Sequence, residues 1–421
     1  MEVYLGVDWS ATEVVCAVAA GANKPHAIKG AKRTLEAVKE IIERVRMLYP
    51  EVEKIHVVIE AGAPGWVEMF HHAGAVVHVV DPKQAKAFAE SLGSSGAKDD
   101  KRDAGSLAEM GRSRKIEIWR PRSELYQQLD MLSTEHEAVT ADLTASKQRL
   151  RACLRERFPS LEVLLIDLGY GWVHRLLRLV PTPFHGRKMT RDQIAEAMRG
   201  SGARKESLER VYEAFAAGDA PWLTEAMARV QAQRVGRLVE QIALLSQQVA
   251  SIEKELDQLT AELDLRHLLE SVGGIAMKMA IRLIVFGIGL DEVPEDRDPL
   301  GILLGASPVF RGSGKDRKGQ SKGRAVMRRA ANHGAKSTTY LLGRQASLQL
   351  DWAAAMYRNA RKRGQSAATA YRRIARCLLR ILTAMVRGGQ PYDNDRYVAS
   401  LQRHGVAWGM ELTTPSSTPA D

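Results

Sequence analysis

Cysteines and long apolar stretches are scarce in this chain of 421 residues. The three cysteines, Cys16, Cys153 and Cys377, are far apart, which argues against a disulfide framework or a cysteine metal site and is typical of a reducing compartment. No run approaches the roughly 18 apolar residues that span a bilayer. The opening residues include Glu2 and Asp8 and lack the basic start of a signal peptide. We therefore expect a cytoplasmic protein without a membrane partner.

Acidic side chains are nearly missing from one part of the sequence. Residues 301–390 contain 19 lysines and arginines but only Asp316 and Asp351, whereas residues 1–120 contain 17 residues of each sign. The net charge of +11 is therefore placed unevenly. A basic block of this kind predicts a polyanionic partner, and nucleic acid is the first candidate. Ribosome-like or membrane-surface binding would give the same signal.

Short apolar runs alternate with helical spacing in residues 1–120. The predicted strands are residues 3–8, Val14–Ala19, Ile55–Ile59 and Val76–Val80, and the predicted helices are Leu35–Leu48 and residues 83–112 with a break at 93–97. The first two strands follow each other closely enough to form a hairpin. Strands that alternate with helices predict a mixed α/β sheet covered by helices.

Heptad spacing dominates residues 121–265. Apolar or small residues alternate in steps of four and three in two series: Leu125, Leu129, Leu132, His136, Val139, Leu143, Ser146, Leu150 and Cys153, then Val235, Leu238, Ile242, Leu245, Val249, Ile252, Leu256, Leu259 and Leu263. Two such series predict a long antiparallel coiled coil, or arms that also pair between subunits. Helices of an ordinary bundle remain the alternative. Residues 157–224 form a helical, proline-punctuated insertion between the two series.

Residues 266–395 are expected to form a third, mainly helical domain, followed by a tail at 396–421. Near its start, Val272-Gly273-Gly274-Ile275 has two adjacent glycines just before a helix, a pattern typical of a turn. Successive backbone amides at such a turn can hold a phosphate, although a plain helix–helix turn gives the same pattern. Residues 413–421 are rich in serine, threonine and proline, which predicts disorder.

Four acids have the pattern of a metal centre. Asp8 and Glu60 each close an apolar strand, so both should project from one edge of the sheet. Asp100 and Asp103 are three apart in a helical segment and should share a face. Carboxylates favour Mg²⁺ or Mn²⁺, and paired ions of this kind catalyse phosphodiester chemistry. Taken singly, each acid is better explained as a solvated surface group or a helix cap, and Asp99 competes with Asp100 for the third position.

Three strings carry a resemblance to a known family: Gly6-Val7-Asp8-Trp9-Ser10, Ile59-Glu60-Ala61, and Lys98-Asp99-Asp100-Lys101-Arg102-Asp103-Ala104. They resemble the RuvC-like domain of the insertion-sequence transposases of the IS110 family, to which Piv-type DNA invertases are related. The resemblance implies an RNase H/RuvC-like fold over residues 1–120 and a metal set of Asp8, Glu60, Asp100 and Asp103. Asp99 stands where that family usually has threonine.

C-terminal motifs resemble the same family in the same order. They are Val272–Ile275 for a helix-hairpin-helix-like element, Leu304–Pro308, Gly312–Lys315, Ser321–Arg324, and the pair Arg328 and Arg329. The resemblance implies that Ser313 attacks DNA and forms a covalent phosphoserine, with Ser307 and Ser321 as fallback candidates. Flanking glycines would let a DNA backbone approach Ser313 closely. Without the resemblance, Gly-Ser-Gly-Lys would indicate only a flexible loop.

The basic residues of this segment are the candidate nucleic-acid contacts. Arg372, Arg376 and Arg380 recur every four residues, which predicts a cationic helix stripe, or else a solvated helix face. Tyr357 and Tyr371 are candidates for base stacking, or for the core. The candidate contacts are Gly273, Gly274, Lys315, Arg317, Lys318, Lys322, Arg324, Arg328, Arg329, Arg372, Arg376 and Arg380.

The leading functional hypothesis is a DNA transposase or recombinase that uses Ser313 with Mg²⁺ or Mn²⁺ at the four acids. The resemblance implies donor and target DNA, a structured noncoding guide RNA, a dimer or tetramer formed through the coiled coil, and a nucleoid-associated protein of a bacterium or archaeon. The alternative is a RuvC-like nuclease or Holliday-junction resolvase that hydrolyses DNA with the acids alone. A sugar-kinase-like ATPase is the third reading, but it requires a second Asp-x-Gly hairpin followed by an adenosine loop, and no such pair is recognisable. A non-catalytic nucleic-acid scaffold is the fourth reading.

Overall fold

The computed structural model describes residues 1–63, 65–93, 99–200, 205–288, 298–312, 324–327, 332–406 and 408–409. The chain divides into two compact units, Met1–Ser123 and Glu124–Asp421. The predicted tail disorder at 413–421 lies outside the described residues.

The first unit is built on a five-stranded mixed sheet. Its strands are β1 (Glu2–Trp9), β2 (Glu13–Ala20), β3 (His26–Lys32), β4 (Lys54–Glu60) and β5 (Val76–Val80), and its helices are α1 (Leu35–Leu48), α2 (Trp66–His72), α3 (Pro82–Ser91) and α4 (Asp100–Ser113). The strand order is β3-β2-β1-β4-β5. The pairs β1–β2 and β2–β3 are antiparallel, and the pairs β1–β4 and β4–β5 are parallel. The predicted mixed α/β sheet is confirmed.

Both faces of this sheet are covered, because side chains alternate along each strand. Val3, Leu5 and Val7 of β1 pack in the core that contains the buried residues of α1. The opposite face of β1 meets α4 at Gly6, where an added Cβ would lie 1.9 Å from the Ala104 carbonyl oxygen. Glycine thus permits strand and helix backbones to touch. The even-numbered Asp8 lies on the face that α4 covers.

A buried histidine pair ties the chain beyond α4 to the sheet. His56 Nδ1 lies 2.9 Å from His78 Nε2. His78 Nδ1 lies 3.1 Å from the carbonyl oxygens of both Ile116 and Glu117, so it carries a proton. In a neutral His78 ring, Nε2 then accepts a hydrogen bond from His56 Nδ1. The pKa of His56 is lowered, first by burial and then by the nearby His78.

The second unit begins with two long helices that enclose the insertion. They are α5 (Glu124–Arg157) and α11 (Glu225–Thr260), and the insertion contains α6 (Pro159–Glu162), α7 (Gly171–Leu179), α8 (Pro183–Gly186), α9 (Arg191–Ala197) and α10 (Lys205–Ala216). Contacts of His136 with Glu253 and of Gln231 with Cys153 show that α5 and α11 run antiparallel. Their apolar seam is buried near both ends, whereas Leu245 and Val249 in its middle are only half-buried.

Helices predominate in the rest of this unit. The elements are α12 (Asp264–Glu270), α13 (Met277–Val285), α14 (Pro299–Leu303), β6 (Val309–Arg311), β7 (Arg324–Val326), α15 (His333–Gln349), α16 (Asp351–Lys362), α17 (Ala367–Gly388) and α18 (Asn394–Arg403). β6 and β7 pair in an antiparallel ribbon that the sequence did not predict. An added Cβ at Gly343 of α15 would lie 2.0 Å from the carbonyl oxygen of Tyr371, so α15 and α17 pack backbone to backbone. Of the helices described, none combines the length and apolar character needed to cross a membrane.

Candidate functional site

Two of the predicted acids lie side by side at one edge of the sheet. Asp8 is near the end of β1, and Glu60 is the last residue of β4. The two strands are parallel neighbours with Val7 opposite Ile59, so the next residue on each strand is one of the acids. This register places both carboxylates at the carboxyl edge of the sheet, on the face that α4 covers.

The N-terminus of α4 supplies the other two acids. Asp99 is the N-cap residue, and its Oδ1 accepts a hydrogen bond from the Lys101 amide at 3.1 Å. Asp100 and Asp103 stand in the first turn of the helix. Asp8, Asp100 and Asp103 each offer a carboxylate oxygen, and these oxygens all lie within 4.8 Å of one another. The structure thus gives Asp99 a capping role and brings Asp100 into the cluster.

Glu60 shares the electrostatic field of this cluster. Its pKa is raised, first by burial and then by the negative charges of Asp8, Asp103 and Asp81. Negative charges this close to one another favour protonation of one carboxylate, or binding of a cation among the carboxylates. Hard carboxylate oxygens that converge within a few ångströms form the donor set that Mg²⁺ and Mn²⁺ prefer. The residues present therefore fit a divalent metal centre.

The cluster opens into a cleft of about 800 Å³. Its lining residues are Asp8, Trp9, Ser10, Glu13, Val15, Glu60, Pro82, Ala85, Lys86, Ala89, Glu90, Asp100, Asp103, Ser106 and Leu107. Six of these described residues are acids, and Lys86 is the one lysine or arginine among them. Sequence reasoning missed Lys86, because its position in the cleft depends on how α3 packs beside α4.

Several predicted C-terminal site residues lie outside the described residues. They are Ser313, Lys315, Arg317, Lys318, Ser321, Lys322, Arg328 and Arg329. Gly312 follows β6 and is exposed, and the backbone of Arg324 begins β7. The Ser313 segment therefore connects the two strands of the β6–β7 ribbon.

The fallback nucleophile Ser307 is buried in a small polar group. Its side chain is 5% exposed, and its hydroxyl donates a hydrogen bond to Asp298 Oδ2. Asp298 also accepts a hydrogen bond of 2.6 Å from Arg376 Nε. Arg376 of the predicted cationic stripe is therefore ion-paired with an acid that precedes the basic block.

The other candidate nucleic-acid contacts differ in exposure. Arg372 donates to the Met327 sulfur at 2.7 Å and is half-buried, whereas Arg380 is exposed. The turn between α12 and α13 contains Gly273 and Gly274, and Gly274 adopts a φ of 93°, which favours glycine. An added Cβ on Gly273 would lie 3.2 Å from a methyl carbon of Leu350, so this turn packs against the end of α15.

Comparison with known proteins finds similarity to one family of transposases. Residues 5–159 match the DEDD transposase model of the IS110 type, which is described as a transposase. The y4uE protein of Sinorhizobium fredii, which is named as a transposase, is 28% identical over 210 residues, 48% of this chain and 57% of that protein. The 43.6 kDa protein of insertion element IS110 from Streptomyces coelicolor is 25% identical over 305 residues, 71% of this chain and 73% of that protein. The predicted resemblance to the IS110 transposases is confirmed.

This chain spans little more than half the length of the y4uE protein. A Thermus thermophilus RuvC structure aligns with 28% of this chain and 99% of its own, at 15% identity and a TM-score of 0.21.

Proposed function

We propose that this protein is the transposase of an insertion sequence, a recombinase that cuts and rejoins DNA. The observation that carries the proposal is the carboxylate cluster of Asp8, Asp100 and Asp103, which lies inside the segment that matches the transposase family. The strand order of the sheet supports an RNase H/RuvC-like domain. DNA is the natural substrate of such an enzyme, and the basic second unit supplies charge to bind it.

The acidic residues would hold two divalent ions, with Mg²⁺ or Mn²⁺ as the cofactor. Asp8, Glu60 and Asp103 are half-buried, whereas Asp100 is exposed. When bound, such ions stabilise negative charge on the attacking and leaving oxygens of a phosphodiester. Lys86 would contact a DNA phosphate from the α3 wall of the cleft, since it supplies the positive charge there.

Ser313 is the proposed nucleophile. Its hydroxyl oxygen would form a bond to phosphorus, the bond from phosphorus to the oxygen of the next nucleotide would break, and that oxygen would leave with the serine proton. The family motifs on both sides of Gly312 support this role. So does the surrounding charge of Lys315, Arg317 and Lys318, which would neutralise a scissile phosphate.

A structured noncoding RNA is the proposed guide, and a dimer or tetramer is the proposed assembly. Positive charge in residues 301–390 suits RNA as well as DNA. The pair α5–α11, which we propose forms a coiled coil, supports assembly because Leu245 and Val249 are half-buried in the middle of the seam. The α12–α13 turn is the corresponding proposal for a helix-hairpin-helix-like phosphate contact.

Covalent trapping tests the proposal against a metal-dependent nuclease. The full-length protein is incubated with supercoiled DNA carrying the element's ends and with Mg²⁺, then denatured and digested with protease. The proposal predicts a DNA–serine adduct that is absent in Ser313→Ala and in Asp8→Asn. If Ser313→Ala cleaves DNA at the wild-type rate and the wild-type protein forms no adduct, the acids act alone and the protein is a RuvC-like nuclease or junction resolvase.

A further inference from the structure

Three tyrosines from three different helices meet on the second unit. The rings of Tyr357 on α16 and Tyr371 on α17 are stacked, with centroids 5.0 Å apart and planes 12° apart. The ring of Tyr340 on α15 stands at 87° to that of Tyr371, with centroids 5.4 Å apart. We call these three side chains the tyrosine cluster.

The tyrosine cluster lies at the surface, beside the core rather than within it. Tyr340 is 37% exposed, and Tyr357 and Tyr371 are half-buried, whereas neighbouring Ile374 and Leu378 are fully buried. The stacking of Tyr357 on Tyr371 and the edge contact of Tyr340 with Tyr371 hold the three rings against one another. Aromatic rings fixed in this way offer flat apolar area at little further cost in conformational entropy.

The helices that carry the tyrosine cluster are rich in positive charge. Residues 333–388, which contain α15, α16 and α17, include eleven lysines and arginines: Lys336, Arg344, Arg358, Arg361, Lys362, Arg363, Arg372, Arg373, Arg376, Arg380 and Arg387. The same range contains one acidic residue, Asp351. Arg344 is exposed one helical turn after Tyr340 and lies close enough to Tyr371 to influence its pKa. Arg372 directly follows Tyr371 in the chain.

Exposed aromatic rings among arginines are the chemistry that recognises unpaired nucleobases. Each base has a π-face that stacks on an aromatic side chain, while guanidinium groups bind the backbone phosphates. Double-stranded nucleic acid keeps its bases stacked on one another and offers mainly phosphates to such a surface. An acidic protein would pair with the arginines but would gain little from the rings.

We propose that the tyrosine cluster, with Arg344 and Arg372, is a stacking site for unpaired bases of a nucleic-acid strand that runs across α15, α16 and α17. Arg372 also contacts Met327, which directly follows β7. A base stacked here would therefore lie beside the ribbon that carries the Ser313 segment. The proposal requires a nucleic-acid partner but not the Ser313 chemistry, so it can fail independently of the proposed function.

Binding of short oligonucleotides to the full-length protein tests this site. The probes are a twelve-nucleotide thymidine strand with one 2-aminopurine, the corresponding uridine RNA strand, and a duplex of the same length. We expect Tyr340→Ala to weaken binding of a single strand by about 5- to 150-fold, and to abolish quenching of 2-aminopurine. Tyr340→Phe keeps the ring and should bind as the wild type does. Arg344→Ala should reduce the salt dependence of single-strand binding by roughly 0.7 in log–log slope.

Matched controls separate stacking from loss of fold. Tyr170→Ala removes an exposed tyrosine of the helical insertion and should leave binding unchanged. Tyr340→Leu keeps apolar contact with Tyr371 but has no ring, so it should weaken binding as Tyr340→Ala does. A loss confined to the RNA probe or to the DNA probe would identify which strand occupies the site. Equal weakening of the duplex and the single strands, or wild-type affinity of Tyr340→Ala for both single strands, would overturn the proposal.

Discussion

The contact between β1 and α4 at Gly6 joins the stability of the first unit to the geometry of its acidic cluster. In Gly6→Ala, the new methyl carbon would lie 1.9 Å from the Ala104 carbonyl oxygen and 2.4 Å from the Ala108 amide nitrogen. Non-bonded heavy atoms prefer about 3.5 Å, so the helix must move by more than about 1 Å. Both obstacles are backbone atoms, and neither can be relieved by a change of rotamer.

The cost should lie at the upper end of the range for overpacked cores, about 3 kcal/mol. For a unit of 123 residues, that cost corresponds to a fall in Tm of about 12 °C. Because α4 carries Asp100 and Asp103, its displacement also separates them from Asp8. We expect the affinity for Mn²⁺ to fall by roughly 10- to 100-fold, as it does when the support of metal ligands is disturbed.

Thermal unfolding followed by circular dichroism, and calorimetric titration with Mn²⁺, measure the two effects on the full-length protein. Gly105→Ala is the matched control on the same helix, since its added Cβ would lie 3.7 Å from Pro25, an ordinary contact. Alanine in place of a helical glycine should stabilise by about 0.5–1 kcal/mol. The reasoning fails if Gly6→Ala melts within about 1 °C of the wild type, or binds Mn²⁺ with wild-type affinity.

Three further predictions concern the same unit. Asp100→Asn should abolish the Mn²⁺ heat signal and DNA cleavage. Asp99→Asn should preserve both, because asparagine caps a helix as well as aspartate does. Equal loss in the two variants would contradict the assignment of Asp100 as the metal ligand and Asp99 as the cap. Lys86→Met should slow DNA cleavage by the order of 100-fold, yet it should strengthen Mn²⁺ binding because a positive charge is removed from the cleft. The control Lys83→Met on the same helix should change neither property. Weaker Mn²⁺ binding by Lys86→Met would count against the role of Lys86. The lowered pKa of His56 means that the folded state resists protonation of this ring. The stabilising contribution of neutral His56 is therefore present above pH 6.5 and is lost as the pH falls. Tm measured against pH should fall less steeply in acid for His56→Asn than for the wild type, and parallel curves would refute this.

Much of the first unit could be predicted because its signals are local. The helix predicted at Leu35–Leu48 has the same bounds as α1, since apolar side chains at helical spacing end at both boundaries. The β-branched runs that became β4 and β5 are buried on both faces, so they are apolar apart from the buried pair His56 and His78. The edge strand β3 was missed because only Ile28 and Ala31 pack against the core, and its sequence has no clear alternation.

The site was harder to predict wherever it depends on packing. Asp99 and Asp100 are adjacent acids at a helix start, and only the hydrogen bond from Lys101 to Asp99 separates the cap from the cluster. In the sequence, Arg376 was interpreted as part of a cationic helix stripe. Its ion-pair partner Asp298 is 78 residues away, so the local pattern did not reveal the pair. Lys86 joins the cleft through the packing of two helices, which no local pattern records.

The acidic cleft is unfavourable for folding, and that argues for its function. Glu60 is held partly buried near Asp8, Asp103 and Asp81, and the raised pKa of Glu60 shows that the fold works against its ionisation. Asp99 already serves as the helix cap, so Asp100 and Asp103 are not needed for that purpose. Repulsion among these carboxylates opposes folding until a cation binds among them, and local conflicts of this kind concentrate at functional sites. The cluster is therefore best explained by what it binds.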